Sequence, residues 1–169
     1  ANLSTRFVFA IDTSVPGEIR LTVSGAPESL VWQGDASLNQ WDLSNTNWQL
    51  AGSPISFAHL DDVLFDDTGS ESPVLNLVAT VKPNSISVAG AKNYTFSGTG
   101  KISGATEISK QGLGTLTINT ANDFSGAIAV TDGTLKTGNP SALGNTLGAT
   151  TISSGAQLDL NAQNLGAES

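Results

Sequence analysis

Four glycines, Gly90, Gly112, Gly133 and Gly155, punctuate the second half of this chain at intervals of about 21 residues, with a strand-like run on either side of each. Ahead of them stand Ile86-Ser87-Val88, Thr106-Glu107-Ile108, Ile128-Ala129-Val130 and Thr150-Thr151-Ile152. Behind them come Tyr94-Thr95-Phe96, Leu116-Thr117-Ile118, Thr134-Leu135-Lys136 and Leu158-Asp159-Leu160. A unit this short cannot bury its own apolar side, so each copy has to be covered by the next. The expected result is an all-β stack of coils in which equivalent strands pair in parallel about 4.8 Å apart. Leu, Ile, Val and Phe then line the inside, Thr, Ser and Asn face out, and the glycines take corners that need positive φ or close backbone approach. An antiparallel sandwich also uses short strands, but it has no reason to keep a fixed period. Ser141-Ala142-Leu143 is at most one helical turn.

The first half reads differently. Phe7, Phe9 and Ile11 alternate on one face, Pro16-Gly17 supplies a turn, and Ile19, Leu21 and Val23 alternate again, which is a hairpin. Leu30 to Thr68 then holds all three tryptophans and a cluster of acidic residues. Its short strands are expected either to form a separate small β unit or to close the open end of the repeat stack. The division falls between an N-terminal hairpin with a Trp/Asp-rich β cap over 1–73 and the parallel β-helix over 74–169.

The stretch Lys110-Gln111-Gly112-Leu113-Gly114-Thr115-Leu116-Thr117-Ile118-Asn119, continuing through Asn122-Asp123-Phe124-Ser125-Gly126 to Asp132-Gly133-Thr134-Leu135, resembles the autotransporter-associated β-strand repeat, also called the passenger-associated transport repeat. Val88 to Gly104 and Ala149 to Asn164 look like looser copies. The resemblance implies a right-handed parallel β-helix of a few coils, a secreted or cell-surface bacterial location, and membership of a longer modular chain. It implies no reaction.

Composition narrows the chemistry. With 15 acidic residues against 7 basic ones the formal charge is −8, which repels phosphate backbones and anionic membranes, so nucleic acid is not an expected partner. The absence of cysteine removes disulfides, iron–sulfur clusters and thiol nucleophiles. No apolar run approaches the roughly 18 residues of a membrane-spanning helix, so no membrane insertion is expected. Ala1 to Thr5 lack the parts of a signal peptide, so any export signal would precede them.

Catalysis is not expected. His59 is the single histidine, and no Gly-x-Ser-x-Gly elbow accompanies it. The pairs Asp61-Asp62 and Asp66-Asp67 place adjacent carboxylates on opposite faces of a strand, which spoils each as a glycosidase pair. Asp61, Asp62, Asp66 and Asp67, with Glu71 nearby, are hard oxygen ligands suited to a structural calcium, although their spacing matches neither an EF-hand nor a calcium β-roll. No other cofactor is expected.

Trp32, Trp41 and Trp48 are interleaved with Gln40, Asp42 and Asn47, and Tyr94 stands on the first repeat. Sugar rings stack on indole while amides and carboxylates take the hydroxyls. The functional expectation is therefore a non-catalytic carbohydrate-binding module of a secreted polysaccharide-degrading protein, taking a neutral plant cell-wall glycan such as xylan or cellulose. The alternative is a purely structural stalk or passenger segment, whose tryptophans plug the end of the solenoid. Other modules of the same longer chain are the remaining expected partners.

Overall fold

The computed structural model describes residues 5–35, 37–69 and 74–165, and every regular element among them is a β-strand. The chain opens on a hairpin of β1 (Val8–Asp12) and β2 (Arg20–Ser24), with Phe9 opposite Val23 and Ile11 opposite Leu21. A first coil comes next with β3 (Ser29–Trp32) and β4 (Gln40–Trp41), and then an excursion through β5 (Trp48–Leu50) and β6 (Ser53–Ile55). The second coil holds β7 (Asp62–Phe65), β8 (Val74–Leu77) and β9 (Thr80–Val81), and the one after it β10 (Ser85–Val88), β11 (Tyr94–Gly98) and β12 (Lys101–Ile102). Three more contribute two strands each: β13 (Glu107–Lys110) and β14 (Thr115–Ile118), β15 (Ile128–Val130) and β16 (Thr134–Thr137), and β17 (Thr150–Ile152) and β18 (Gln157–Asp159).

Equivalent strands pair in parallel from coil to coil, so the fold is the β-solenoid that the glycine period requires. One sheet runs β3-β7-β10-β13-β15-β17 and a second runs β4-β8-β11-β14-β16-β18. A shorter third face pairs β9 with β12. The register aligns like with like: Leu30, Val63, Ile86, Ile108 and Ile128 form one inward column. Tyr94, Leu116, Leu135 and Leu158 form another. From β7 to β16 every second residue of a strand is buried, and each buried aliphatic contributes about 1.5–3 kcal/mol over its exposed state.

Glycine holds the corner for a reason visible at Gly112. Its φ is +69°, and a Cβ there would stand 2.4 Å from the backbone nitrogen of Gly90 in the previous coil. Real Cβ atoms do not approach that closely, so adjacent coils reach parallel-sheet spacing at this corner only without side chains.

The parallel ladder begins at β3 rather than near residue 74, so the tryptophan-rich zone is part of the stack and supplies its first coil. At that end β5 pairs antiparallel with β3, and β6 with β5. This reversal covers the parallel edge of β3 and makes β6 the end strand of the longer sheet. The second sheet ends on β4 with no such reversal.

Candidate functional site

The aromatic residues that look like a sugar platform are core: Trp32 and Trp41 in the first coil, Trp48 on β5 and Tyr94 on β11. Trp32, Trp41, Trp48 and Tyr94 are each at most 1% exposed. Trp41 packs against Trp48, Phe57, Phe65 and Phe96, with ring centroids 5.2 to 5.8 Å apart and mostly edge to face. Trp32 meets Trp48 edge-on at 4.9 Å. This corrects the expectation of a stacking face: the rings are neither coplanar nor reachable. The physical reason is that a terminal coil has no preceding coil to fill its interior, and indole supplies the most apolar volume per residue.

The polar residues between them serve turns. Asn47 is buried and donates through Nδ2 to the Gln40 carbonyl at 2.9 Å. Asp42 accepts from the backbone N–H groups of Ser44 and Asn45 at 2.8 and 2.7 Å, and its other oxygen takes Asn45 Nδ2 at 2.7 Å. Gln40 Oε1 accepts from the same Asn45 amide at 3.2 Å. Tyr94 donates its hydroxyl to the Asp66 carbonyl at 2.5 Å. Burial, with help from the charges of Asp66 and Asp67, pushes this phenol up to about 12.

The acidic residues are equally committed, each in a different place, and this corrects the calcium expectation. Asp61 is fully buried and accepts two bonds from the Arg6 guanidinium, at 2.7 and 2.8 Å, with further bonds from the backbone N–H groups of Glu28 and Ala58 at 3.1 and 2.9 Å. Asp62, one residue on, points out and accepts from Asn84 Nδ2 and Ser85 Oγ at 2.8 and 2.5 Å. Asp66 caps its own turn through Thr68. Asp67 reaches the next coil, where the N–H groups of Lys92 and Ala91 hold its carboxyl below the usual carboxylate range. Alternation along β7 and the corner after it drive these groups apart. Among the described residues no group of three or more His, Asp or Glu is placed to hold a metal, and Glu71 lies outside them.

His59 is half-buried, and its Nδ1 accepts from the Lys82 backbone N–H at 3.2 Å. Burial first, and then the charge of Lys82, lower its pKa. With Asp61 held by Arg6, the two residues are not partners of each other.

Lys110 reads in the sequence only as part of the repeat pattern, and the structure gives it a role. It stands in an inward column between Val88 and Val130 and is completely buried. Its ammonium donates to the carbonyls of Gln111, Gly112 and Asp132 at 3.0, 2.7 and 3.2 Å, which uses all three donors. The desolvation lowers its pKa, opposed by Asp132. In the same repeat Asn122 ties three coils, accepting from the Ile102 N–H and donating to the Ala142 carbonyl, both at 2.9 Å.

Outside the core, two shallow hollows of about 200 and 210 Å³ lie on the outer face of the longer sheet and share Ser85 and Ser87. Small residues such as Ser109, Ala129 and Thr151 continue the floor. The face offers hydroxyls and a little apolar surface, with Asp62 and Glu107 as its carboxylates.

These features define a class: a repeat solenoid whose aromatic, basic and acidic side chains hold its coils together. Residues 108–136, from β13 through β16, match the family model for the passenger-associated-transport-repeat. That is the repeat which Lys110 to Leu135 resembles, and the match spans 108–136. Comparison with curated proteins and with solved structures found no match.

Proposed function

We propose that this chain is a structural β-solenoid segment of a passenger, the exported part of a bacterial secreted or surface protein. Its task is to extend and space the other modules of a longer chain. The observation that carries the reading is where the repeat match falls. Residues 108–136 form coils in the middle of the stack, covered by β10 and β11 on one side and by β17 and β18 on the other. The repeat is thus a unit of length, each coil adding about 4.8 Å along the axis. The reading is non-catalytic, because the ionisable groups of the interior, Asp61, Tyr94 and Lys110, are all engaged in closing coils and corners.

The engagement of every tryptophan in the core favours the structural role over recognition of xylan or cellulose by aromatic stacking. Affinity electrophoresis in gels cast with soluble xylan or hydroxyethylcellulose tests this directly, with unchanged mobility expected. Retardation by either glycan, or release of reducing sugar from it, would overturn the reading. Antibodies to the chain should label intact cells or the culture medium of the bacterium that makes it, and a signal confined to lysed cells counts against export.

A further inference from the structure

We propose that the β1–β2 hairpin is a self-association surface, covered face to face by the hairpin of a second copy of this chain. Phe9 and Ile11 lie on the same side of the ribbon as their cross-strand partners Val23 and Leu21. Ile19, just ahead of β2, falls on that side by the same alternation. All five are open to solvent, between 49 and 82% exposed. Val8, Ala10, Asp12, Arg20, Thr22 and Ser24 occupy the other side. The hairpin is a two-stranded sheet paired with no other strand among the described residues. Such a ribbon is marginal in water until a further layer covers its apolar face.

The stack is not that layer, since all five side chains stay exposed beside it. Both of its feet are tied to one buried carboxylate, since Asp61 accepts from Arg6 ahead of β1 and from the Glu28 N–H behind β2. The feet also touch: a Cβ on Gly25, whose φ is +89°, would stand 2.2 Å from the Arg6 carbonyl oxygen. These ties fix where the ribbon leaves the stack, and the exposure of its five apolar side chains shows that the face is left open.

A second copy fits this face by area and by charge. Five large apolar side chains at about 100 Å² each give about 500 Å² per copy. The pair then buries about 1,000 Å², at the threshold for a specific interface and below the standard of about 1,600 Å², so the dimer is a weak one with Kd in the micromolar range. A two-fold contact sets a patch against itself, and this one carries no charge to oppose its own image. The nearest ion pair, Glu18 with Arg20 at 2.6 Å, contains its own counter-charge. Because each chain carries a formal charge of −8, copies repel at long range, and screening should strengthen the dimer. A basic partner on the same surface would show the opposite salt dependence.

The test is sedimentation velocity from about 5 to about 300 μM at low and high salt, roughly 0.05 and 0.5 M NaCl. The dimer fraction should rise with concentration and with salt. Ile11→Lys and Leu21→Lys should each weaken association at least about tenfold with the far-UV circular dichroism unchanged. Both lower the net negative charge, so relief of repulsion cannot account for the loss. Leu113→Lys, at a leucine 78% exposed on a corner of the stack, should have no effect. A wild type that stays monomeric at the highest concentration and salt overturns the proposal. So does a dimer that survives Ile11→Lys or weakens with salt. A monomer that floats with phosphatidylcholine vesicles assigns the face to lipid instead.

Discussion

Replacing Asp61 with alanine removes the group that joins the hairpin, the first coil and the turn after β6. The Asp61 side chain is fully buried and that of Arg6 is 20% exposed. Removing one member of a buried pair costs about 3–5 kcal/mol, and the partial access of water to Arg6 places this pair near the lower figure. The N–H groups of Glu28 and Ala58 lose their acceptor as well, at about 1 kcal/mol each. The expected total is about 4–5 kcal/mol. Urea is the denaturant of choice, because guanidinium chloride would screen the ion pair. The three buried tryptophans report unfolding through their fluorescence. With a slope of about 2 kcal/mol per molar urea, the midpoint should fall by about 2 M. Arg6→Ala should cost about 3 kcal/mol, because it strands a buried carboxylate. The double variant should cost less than the sum of the two singles by at least about 2 kcal/mol. A midpoint shift below about 0.5 M for Asp61→Ala, or strict additivity in the double variant, refutes the idea that this pair clasps the N-terminal end.

Trp41→Ala should cost about 3–5 kcal/mol in the same urea assay, since it empties the centre of the aromatic cluster; a cost under about 1 kcal/mol would mean that the ring is not core. Gly112→Ala and Gly155→Ala change equivalent corners with φ of +69° and +90°, but an added methyl meets the Gly90 backbone only at the first. Gly155→Ala should therefore cost only about 1 kcal/mol of left-handed strain, and Gly112→Ala at least about 1–3 kcal/mol more, so equal shifts in midpoint would contradict the close approach. His59 has a folded pKa below its unfolded value, so the folded state binds fewer protons; its contribution is complete above about pH 6.5 and is lost as pH falls through the lower folded value. Melting temperature should decline from pH 7 to about pH 5, and His59→Asn, which keeps an acceptor near the Lys82 N–H, should flatten that slope; an unchanged slope assigns the decline to other groups.

Much of the stack was legible because its cause is periodic. The runs around Gly90, Gly112, Gly133 and Gly155 alternate inward and outward residues, and a repeat too short to bury its own face admits few solutions other than stacking. The hairpin was equally plain, as its pairing is local and its turn carries Pro16-Gly17. The boundary near residue 73 was harder to read. The first coil is interrupted by the β5–β6 excursion, so Leu30 meets Val63 across a longer loop than any later pair, and the period is lost to the eye.

The chemistry of single residues was not legible in the same way. Trp32, Trp41 and Trp48 among amides and carboxylates have the composition of a sugar platform and also that of a plug, since composition does not say which way a ring points. Asp61 and Asp62 differ by one position, yet one clasps Arg6 in the interior and the other faces solvent, because adjacent strand residues take opposite sides. The sequence alone determined that this chain is all-β and built of stacked coils, because glycine spacing and alternation are local properties of the chain. Only the tertiary structure decided that its aromatics are core, that its acids are clasps and caps, and that its hairpin turns its apolar face outward. Those outcomes depend on which surfaces meet across gaps as wide as that between Arg6 and Asp61, and no local pattern encodes such a meeting.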